Sequence, residues 1–290
     1  MVARRSRRAR TAALGQHFLK SPKVVRRLLA EARVNAEDLV LDLGAGKGSI
    51  THEAARAGAR VIAVELDPRL ISFLLARFVQ EPRVSVVGKD LRELRLPGQE
   101  FKVVANLPFH VTTNILRKLL DPSAFLNRAA LLVQRGVAIK RTRRSGNMFN
   151  ALVSPWFRLW EAGTVARTAF EPFSPVDTSV LAVARRDVPL VSISERASYE
   201  ELVGLGFERA ELPLSVSLAA MHSRKWIEEA LKSLELPLAT TALGLRIDRF
   251  AGIHSKLVAM KEEPRCCPPG SPRGKLAPRP PRGRGSRRGR

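Results

Sequence analysis

The chain has 290 residues, 45% of them hydrophobic, a net charge of +23 and only two cysteines. That length and composition allow a large domain plus a small one around a real core. They exclude a transmembrane helix, since no apolar run reaches about 18 residues, and a disulfide scaffold, since Cys266 and Cys267 are adjacent and form neither a good disulfide nor a zinc site alone.

In chain order, residues 1–13 read as a disordered basic arm, with five arginines and no acid in residues 1–10. The basic start lacks the apolar stretch of a secretory signal, so a reducing cytoplasm is expected. Ser21-Pro22 starts a helix whose Val24, Val25, Leu28, Leu29 and Ala32 share a face to about Arg33. Apolar runs then alternate with helical segments: Leu39–Leu43, Arg60–Glu65, Val84–Val87, Phe101–Ala105 and Ala129–Val133 read as strands, with helices such as Arg69–Val79 and Thr113–Leu120 between them. This alternation predicts an α/β fold with a parallel sheet covered on both faces. Two later β-rich stretches, about Thr164–Ala169 and Ser179–Ala184, are placed to close the sheet as a hairpin. Tyr199–Leu205, Leu212–Met221, Lys225–Leu234 and Thr240–Leu245 read as short helices, which sets a catalytic-type domain at 14–187 and a small helical domain at 188–262. Residues 263–290, rich in Pro, Gly and Arg, are expected to be a disordered tail.

The tails hold fourteen of the surplus cations, five at residues 1–10 and nine at residues 265–290, which leaves +9 for residues 11–264. Such polymer-like cations bind a polyanion by releasing its condensed counterions, so nucleic acid is the expected partner and a membrane surface is not. A basic loop of Arg135, Lys140, Arg141, Arg143 and Arg144 after the fifth strand is a candidate RNA-backbone contact.

Asp42-Leu43-Gly44-Ala45-Gly46-Lys47-Gly48 follows the first core strand and precedes a helix. Glycines there allow a tight turn and close approach to a ligand. Without the Lys-Ser/Thr pair of a phosphate loop, and with Glu65 placed to accept from ribose hydroxyls, the pattern suits a strand-end nucleoside ligand, either NAD or S-adenosylmethionine. Asp90, at the end of the third strand, is placed to accept from an adenine amino group. Asn106-Leu107-Pro108-Phe109 follows the fourth strand. A side-chain amide oxygen and the Leu107 carbonyl can both accept N–H bonds from an exocyclic amine whose lone pair is delocalised. Pro108 fixes φ, and Phe109 offers an aromatic face worth about 1–3 kcal/mol per stacked base.

These blocks together resemble the erythromycin-resistance (Erm) rRNA adenine N6-methyltransferases, within the rRNA adenine dimethyltransferase superfamily. Gly15-Gln16-His17-Phe18-Leu19 is similar to the family's opening Gln-Asn-Phe-Leu block, with His17 where the pattern has Asn. Gly44–Gly48, Glu65, Asp90 and Asn106–Phe109 follow in order, and Phe170-Glu171-Pro172-Phe173-Ser174-Pro175-Val176-Asp177 resembles the late Phe-x-Pro-x-Pro-x-Val-Asp block. The resemblance implies a seven-stranded Rossmann-like S-adenosylmethionine methyltransferase domain with a helical C-terminal domain. It implies donor contacts from Gln16, His17, Leu19, Gly44, Gly46, Glu65, Asp90 and Asn106, and a target site of Asn106, Leu107, Pro108, Phe109 and Phe170, with Phe173 a second candidate for the far face of the base. It further implies a cytoplasmic monomer acting on 23S rRNA, naked or in early assembly intermediates, and giving macrolide, lincosamide and streptogramin B resistance. A small-subunit (16S) dimethyltransferase is the nearest alternative, a non-enzymatic RNA-binding or transcription factor on the same fold a more distant one, and a DNA adenine methyltransferase a third. The five histidines are scattered without ligand spacing, so no metal is expected. Trp156 and Trp160 read as core.

Overall fold

The computed structural model describes residues 17–262. The basic arm at 1–13, Gln16, and the 263–290 tail with its two cysteines lie outside the described residues.

The first four predicted core strands form close to their expected bounds because each is a short, largely β-branched and leucine run bounded by turn residues, while the fifth, expected at Ala129–Val133, begins three residues earlier at Leu126. After a two-residue strand β1 (Phe18–Leu19) comes helix α1 (Pro22–Glu31), whose Ser21 cap accepts from the Val24 amide with proline in the first turn. Then follow β2 (Leu39–Leu43), α2 (Ser49–Arg56), β3 (Arg60–Glu65), α3 (Pro68–Arg77), β4 (Val84–Gly88), β5 (Phe101–Asn106), α4 (Thr112–Leu119) and β6 (Leu126–Gln134). Helices α5 (Arg135–Thr142) and α6 (Met148–Val153) lead to β7 (Phe157–Val165), β8 (Phe170–Glu171) and β9 (Thr178–Arg185).

Seven strands make one sheet in the order β4-β3-β2-β5-β6-β9-β7. The first four pairings are parallel, and β9 runs antiparallel between β6 and β7. Alternation along β2 divides the core: Leu39, Leu41 and Leu43 face one cluster and Val40 the other. The first cluster contains Ile115, Leu116 and Leu119 of α4, and the second contains Val25 and Leu28 of α1 and Ile50 and Ala54 of α2. Both faces of the sheet are therefore covered, as a parallel sheet requires. Chain order reverses between β2 and β5, so a crevice opens at the carboxyl ends of those two strands, where open α/β sheets bind ligands.

Gly48 closes the loop after β2 with φ +75°, and a Cβ there would stand 2.8 Å from both Leu74 and Phe78. Gly48→Ala should therefore cost roughly 2–5 kcal/mol, from left-handed backbone strain plus overpacking. A lower urea midpoint at unchanged m-value would show it; Gly136→Ala, with open space around it, should be near neutral.

The later elements depart from expectation in several places, among them the helix expected at Leu212–Met221, which is only Leu214–Ser217. The strand expected at Thr164–Ala169 begins seven residues earlier, at Phe157, and residues 167–169 form a 3-10 turn. The register shifts between Glu161 and Thr164, beside Gly163 at φ +101°, which breaks the period-2 pattern a strand shows in sequence. The basic segment after β6 is helix α5, not a loop, and its Arg141 is only 8% exposed, stacked 3.9 Å over the Phe149 ring with its Nε unpartnered. Arg135, Lys140, Arg143 and Arg144 remain exposed.

The helical part comprises α7 (Arg196–Glu208), α8 (Leu214–Ser217), α9 (Arg224–Ser233) and α10 (Arg249–Glu262). Thr240–Leu245, expected to be helical, is a turn. Thr241 bridges to Pro213, Thr240 Oγ1 donates to the Pro237 carbonyl, and Thr241 Oγ1 accepts from Gly244, so threonine hydroxyls take the groups a helix would use. Helix α10 was legible from Phe250, Ile253 and Leu257 on one face but was not among the expected helices. Tyr199 ties this part to the sheet. Its hydroxyl donates to the Ala151 carbonyl at 2.8 Å, its ring meets Trp156 edge-on at 5.8 Å, and both rings belong to the same core cluster as the strands. Trp160 is half-buried on β7. Among the described residues, no helix is long and apolar enough to cross a membrane, and no group of three or more His, Cys, Asp or Glu is assembled to hold a metal ion.

Candidate active site

A cavity of about 620 Å³ opens in the crevice after β2 and β5. Its wall includes His17, Gly44, Gly46, Glu65, Asp90, Asn106, Leu107, Pro108, Phe109 and Phe170, side chains and glycines spread over more than 150 residues of sequence.

The glycine loop is built onto β3. The amides of Gly44 and Ala45 both donate to the Val64 carbonyl, and Gly44, Gly46 and Gly48 all have positive φ. A Cβ on Gly44 would lie 3.3 Å from Pro108, and one on Gly46 would lie 3.0 Å from the Phe18 ring. Glycine is therefore required by close approach as well as by φ. Asp42 is buried under this loop, off the cavity wall. Its Oδ2 accepts from the Thr51 amide and hydroxyl, which secures the first turn of α2, where Gly48 supplies no side-chain cap. Its Oδ1 is buried without a partner, and burial pushes the carboxyl up to about 7 against the opposing effect of Thr51.

Glu65 already accepts three backbone N–H bonds, from Gly46 at 2.8 Å, Leu66 at 2.8 Å and Asp67 at 3.1 Å. A carboxylate offers about four lone-pair sites, so Glu65 has room for one more donor, and engaging two ribose hydroxyls means exchanging an amide bond. Asp90 is held side-on by Arg92, with Nη2 donating to Oδ2 at 2.6 Å and the Arg92 amide to Oδ1 at 2.8 Å. Those hydrogen bonds draw the Asp90 carboxyl down to about 2. Asp67 and Arg69 repeat the same i, i+2 pairing on the cavity rim.

Asn106 is the last residue of β5. Its Nδ2 donates to the His17 carbonyl at 2.8 Å, which ties one of its two N–H donors to the protein and leaves Oδ1 as the acceptor for a ligand. The Pro108 carbonyl accepts from Val111 and from the Thr112 hydroxyl and so starts the turn into α4; the Leu107 carbonyl, one residue earlier, stays outside that turn. Phe109 is half-buried at the turn's first position.

The opposite wall is assembled by β1 and β8, which pair antiparallel as Phe18 with Glu171 and Leu19 with Phe170. His17 Nδ1 bonds the Pro172 carbonyl at 3.1 Å, and the Lys20 amide donates to the Ala169 carbonyl. Phe170, 1% exposed, is on the cavity wall; Phe173 is 63% exposed on the protein surface and is not. Leu19 departs from its expected place: its side chain is buried in the core with Leu28 and Val25, so only its backbone can reach a ligand. Sequence reasoning missed Phe18, Leu66, Leu91, Arg69, Arg92 and His110 as wall residues. The available signals were an apolar residue directly after each strand-end acid, Glu65-Leu66 and Asp90-Leu91, and the repeated Asp-x-Arg.

The profile of the family described as "Ribosomal RNA adenine dimethylase" matches residues 7–257. The small-subunit ribosomal RNA methyltransferase A of Geobacter metallireducens is 30% identical over 262 residues, covering 86% of this chain and 95% of that protein. The rRNA adenine N-6-methyltransferase of Corynebacterium diphtheriae is 35% identical over 193 residues, covering 65% of this chain and 74% of its own. Among solved structures, the 23S rRNA methyltransferase ErmE superposes with a TM-score of 0.75 at 26% identity, over 83% of this chain and 99% of that one.

The residues present fit S-adenosylmethionine. The cavity has the volume of a ligand pocket, the glycine loop removes the side chains that would fill it, Leu66 and Leu91 give apolar walls for an adenine ring, and Glu65 and Asp90 are acceptors beside them. With fold, cavity and sequence profile in agreement over most of its length, this chain belongs to the ribosomal RNA adenine dimethylase family, whose methyl donor is S-adenosylmethionine.

Proposed function

We propose that the protein methylates the N6 amino nitrogen of a specific adenine in 23S rRNA and so gives macrolide, lincosamide and streptogramin B resistance. The observation that carries this reading is the similarity to the 23S rRNA methyltransferase ErmE along 99% of that chain. The bound donor supplies a methyl group activated by its sulfonium. The chain's own residues prepare the nucleophile. Asn106 Oδ1 and the Leu107 carbonyl accept the two N–H bonds of the adenine amine, which draws its lone pair out of the ring. Pro108 holds that backbone, and Phe109 and Phe170 flank the base. The methylated nitrogen then sheds its extra proton to water, because a protonated aryl amine is a strong acid and needs no ionisable base. His17, Gly44, Gly46, Glu65 and Asp90 hold the donor, with Gln16 and the Leu19 backbone beside them. The helical part, 188–262, carries RNA contacts, with a single copy of the chain acting on naked rRNA or an early assembly intermediate.

A 16S reading is favoured by a different observation, the 30% identity to the Geobacter metallireducens small-subunit enzyme along 95% of its length. Expression in an erythromycin-sensitive bacterium, with the modified nucleotide mapped by primer extension and its methyl groups counted by mass spectrometry, decides between them. Erythromycin tolerance together with a modified 23S adenine is the expected result. A modified 16S adenine with unchanged drug sensitivity would overturn the 23S assignment.

A further inference from the structure

Phe173 is an aromatic side chain that the target pocket does not use. It lies three residues after Phe170, so at most about 11 Å of chain separates it from the pocket wall. The residue is 63% exposed, yet its backbone is pinned on both sides. On one side the Pro172 carbonyl is bonded by His17 Nδ1. On the other, Ser174 is buried, its amide donating to the Arg167 carbonyl and its hydroxyl to the Val176 carbonyl at 2.7 Å. The Lys20 ammonium stands 5.4 Å from the ring centroid, within cation–π range. Phe125 is similarly exposed but precedes β6, at the end of the sheet away from the cavity. Phe173 is thus an exposed aromatic on a pinned backbone, beside a cation and next in sequence to the Pro172 carbonyl that the wall residue His17 bonds.

Single-stranded RNA is recognised by splaying bases onto aromatic faces and neutralising the adjoining phosphates with cations. A target base drawn into the cavity leaves its neighbours unstacked at the mouth. We infer that Phe173, backed by Lys20, is the stacking platform for the nucleotide adjacent to the target adenine, and that it strengthens RNA binding. This rests on the family's RNA substrate and not on which ribosomal subunit supplies it.

The test uses the full-length protein with S-adenosylhomocysteine and two RNA hairpins carrying the target adenine, with 2-aminopurine as its 5′ or its 3′ neighbour. The hairpin sequence is taken from whichever subunit's rRNA the wild-type enzyme methylates, so a wrong subunit assignment changes the hairpin and leaves this experiment intact. Wild-type protein should alter 2-aminopurine fluorescence in one of the two hairpins, and Phe173→Ala should abolish that change. Phe173→Ala should also raise the KM for RNA ~5–150-fold, the equivalent of one base stack, with kcat at saturating RNA and donor affinity within about twofold, and Phe173→Trp should restore both readouts. Because the side chain is exposed and the Lys20 cation–π contact is what Phe173→Ala removes, Tm should fall by no more than about 4 °C. An unchanged KM and an unchanged fluorescence response in Phe173→Ala would overturn the inference, as would a loss that Phe173→Trp fails to restore.

Discussion

Asn106→Ala should lower kcat by ~10²–10³, the range found when one preorganised hydrogen-bonding group is removed from a transition state. The side chain has two separable jobs: Nδ2 ties the end of β5 to the His17 carbonyl, and Oδ1 is left for the ligand. Losing the tie alone forfeits one net hydrogen bond, about 0.5–1.5 kcal/mol. Donor affinity, measured by calorimetry with S-adenosylhomocysteine, should therefore weaken by no more than about tenfold while kcat falls much further. A loss seen equally in donor affinity and kcat would mean that Asn106 acts only by holding the β1 strap against the cavity. The mirror experiment is Asn106→Asp, which keeps an oxygen but sets a carboxylate against the His17 carbonyl; it should lose donor affinity more than Asn106→Ala does.

Asp42 should give the protein a pH-dependent stability of unusual sign for a carboxylate. Burial holds its folded-state value at about 7, against 3.8 for a solvent-exposed carboxyl. The unfolded chain thus releases this proton well before the native one does, and stability falls as pH rises from about 4 through about 7, then levels off. Between pH 5 and pH 8 the loss from this one group is on the order of 3 kcal/mol, at 1.36 kcal/mol per unit. Asp42→Asn should remove that slope, because Asn Oδ1 can still accept from the Thr51 amide and hydroxyl. The amide nitrogen it buries in place of the unpartnered Oδ1 costs about 1–3 kcal/mol at every pH. Urea unfolding at pH 5 and pH 8 checks the difference: wild type should be more stable at pH 5 relative to the variant than it is at pH 8, and parallel pH dependences would show that Asp42 ionises normally.

The basic segment after β6 teaches a related lesson about charge. Arg135, Lys140, Arg141, Arg143 and Arg144 look equivalent in sequence, but α5 turns Arg141 inward onto Phe149, where burial and the nearby Arg117 lower its affinity for a proton. A charge-reversal experiment meant to probe RNA contact belongs at Arg143 and Arg144. Changing Arg141 would perturb packing first.

Short strands, the glycine loop, the strand-end acids and the Asn106–Phe109 turn were all legible in the sequence. Each is specified by local chemistry: β-branched runs between turn formers, glycine where φ is positive, proline where φ is held. The family blocks were legible for the same reason, since each is a short contiguous stretch. Tertiary structure alone decided what depends on which distant groups share a space. It took Asp42 off the cavity wall and under the helix, because Thr51 of α2 lies against the end of β2. It turned Leu19 into the core and made Phe170 the cavity wall, because β1 and β8, about 150 residues apart, pair along one wall of the cavity. It left Phe173 outside, since the hydrogen bonds of His17 and Ser174 hold that loop with its ring toward solvent. Residues three apart in a pinned loop can face opposite environments, and no periodicity in the sequence records which one faces in.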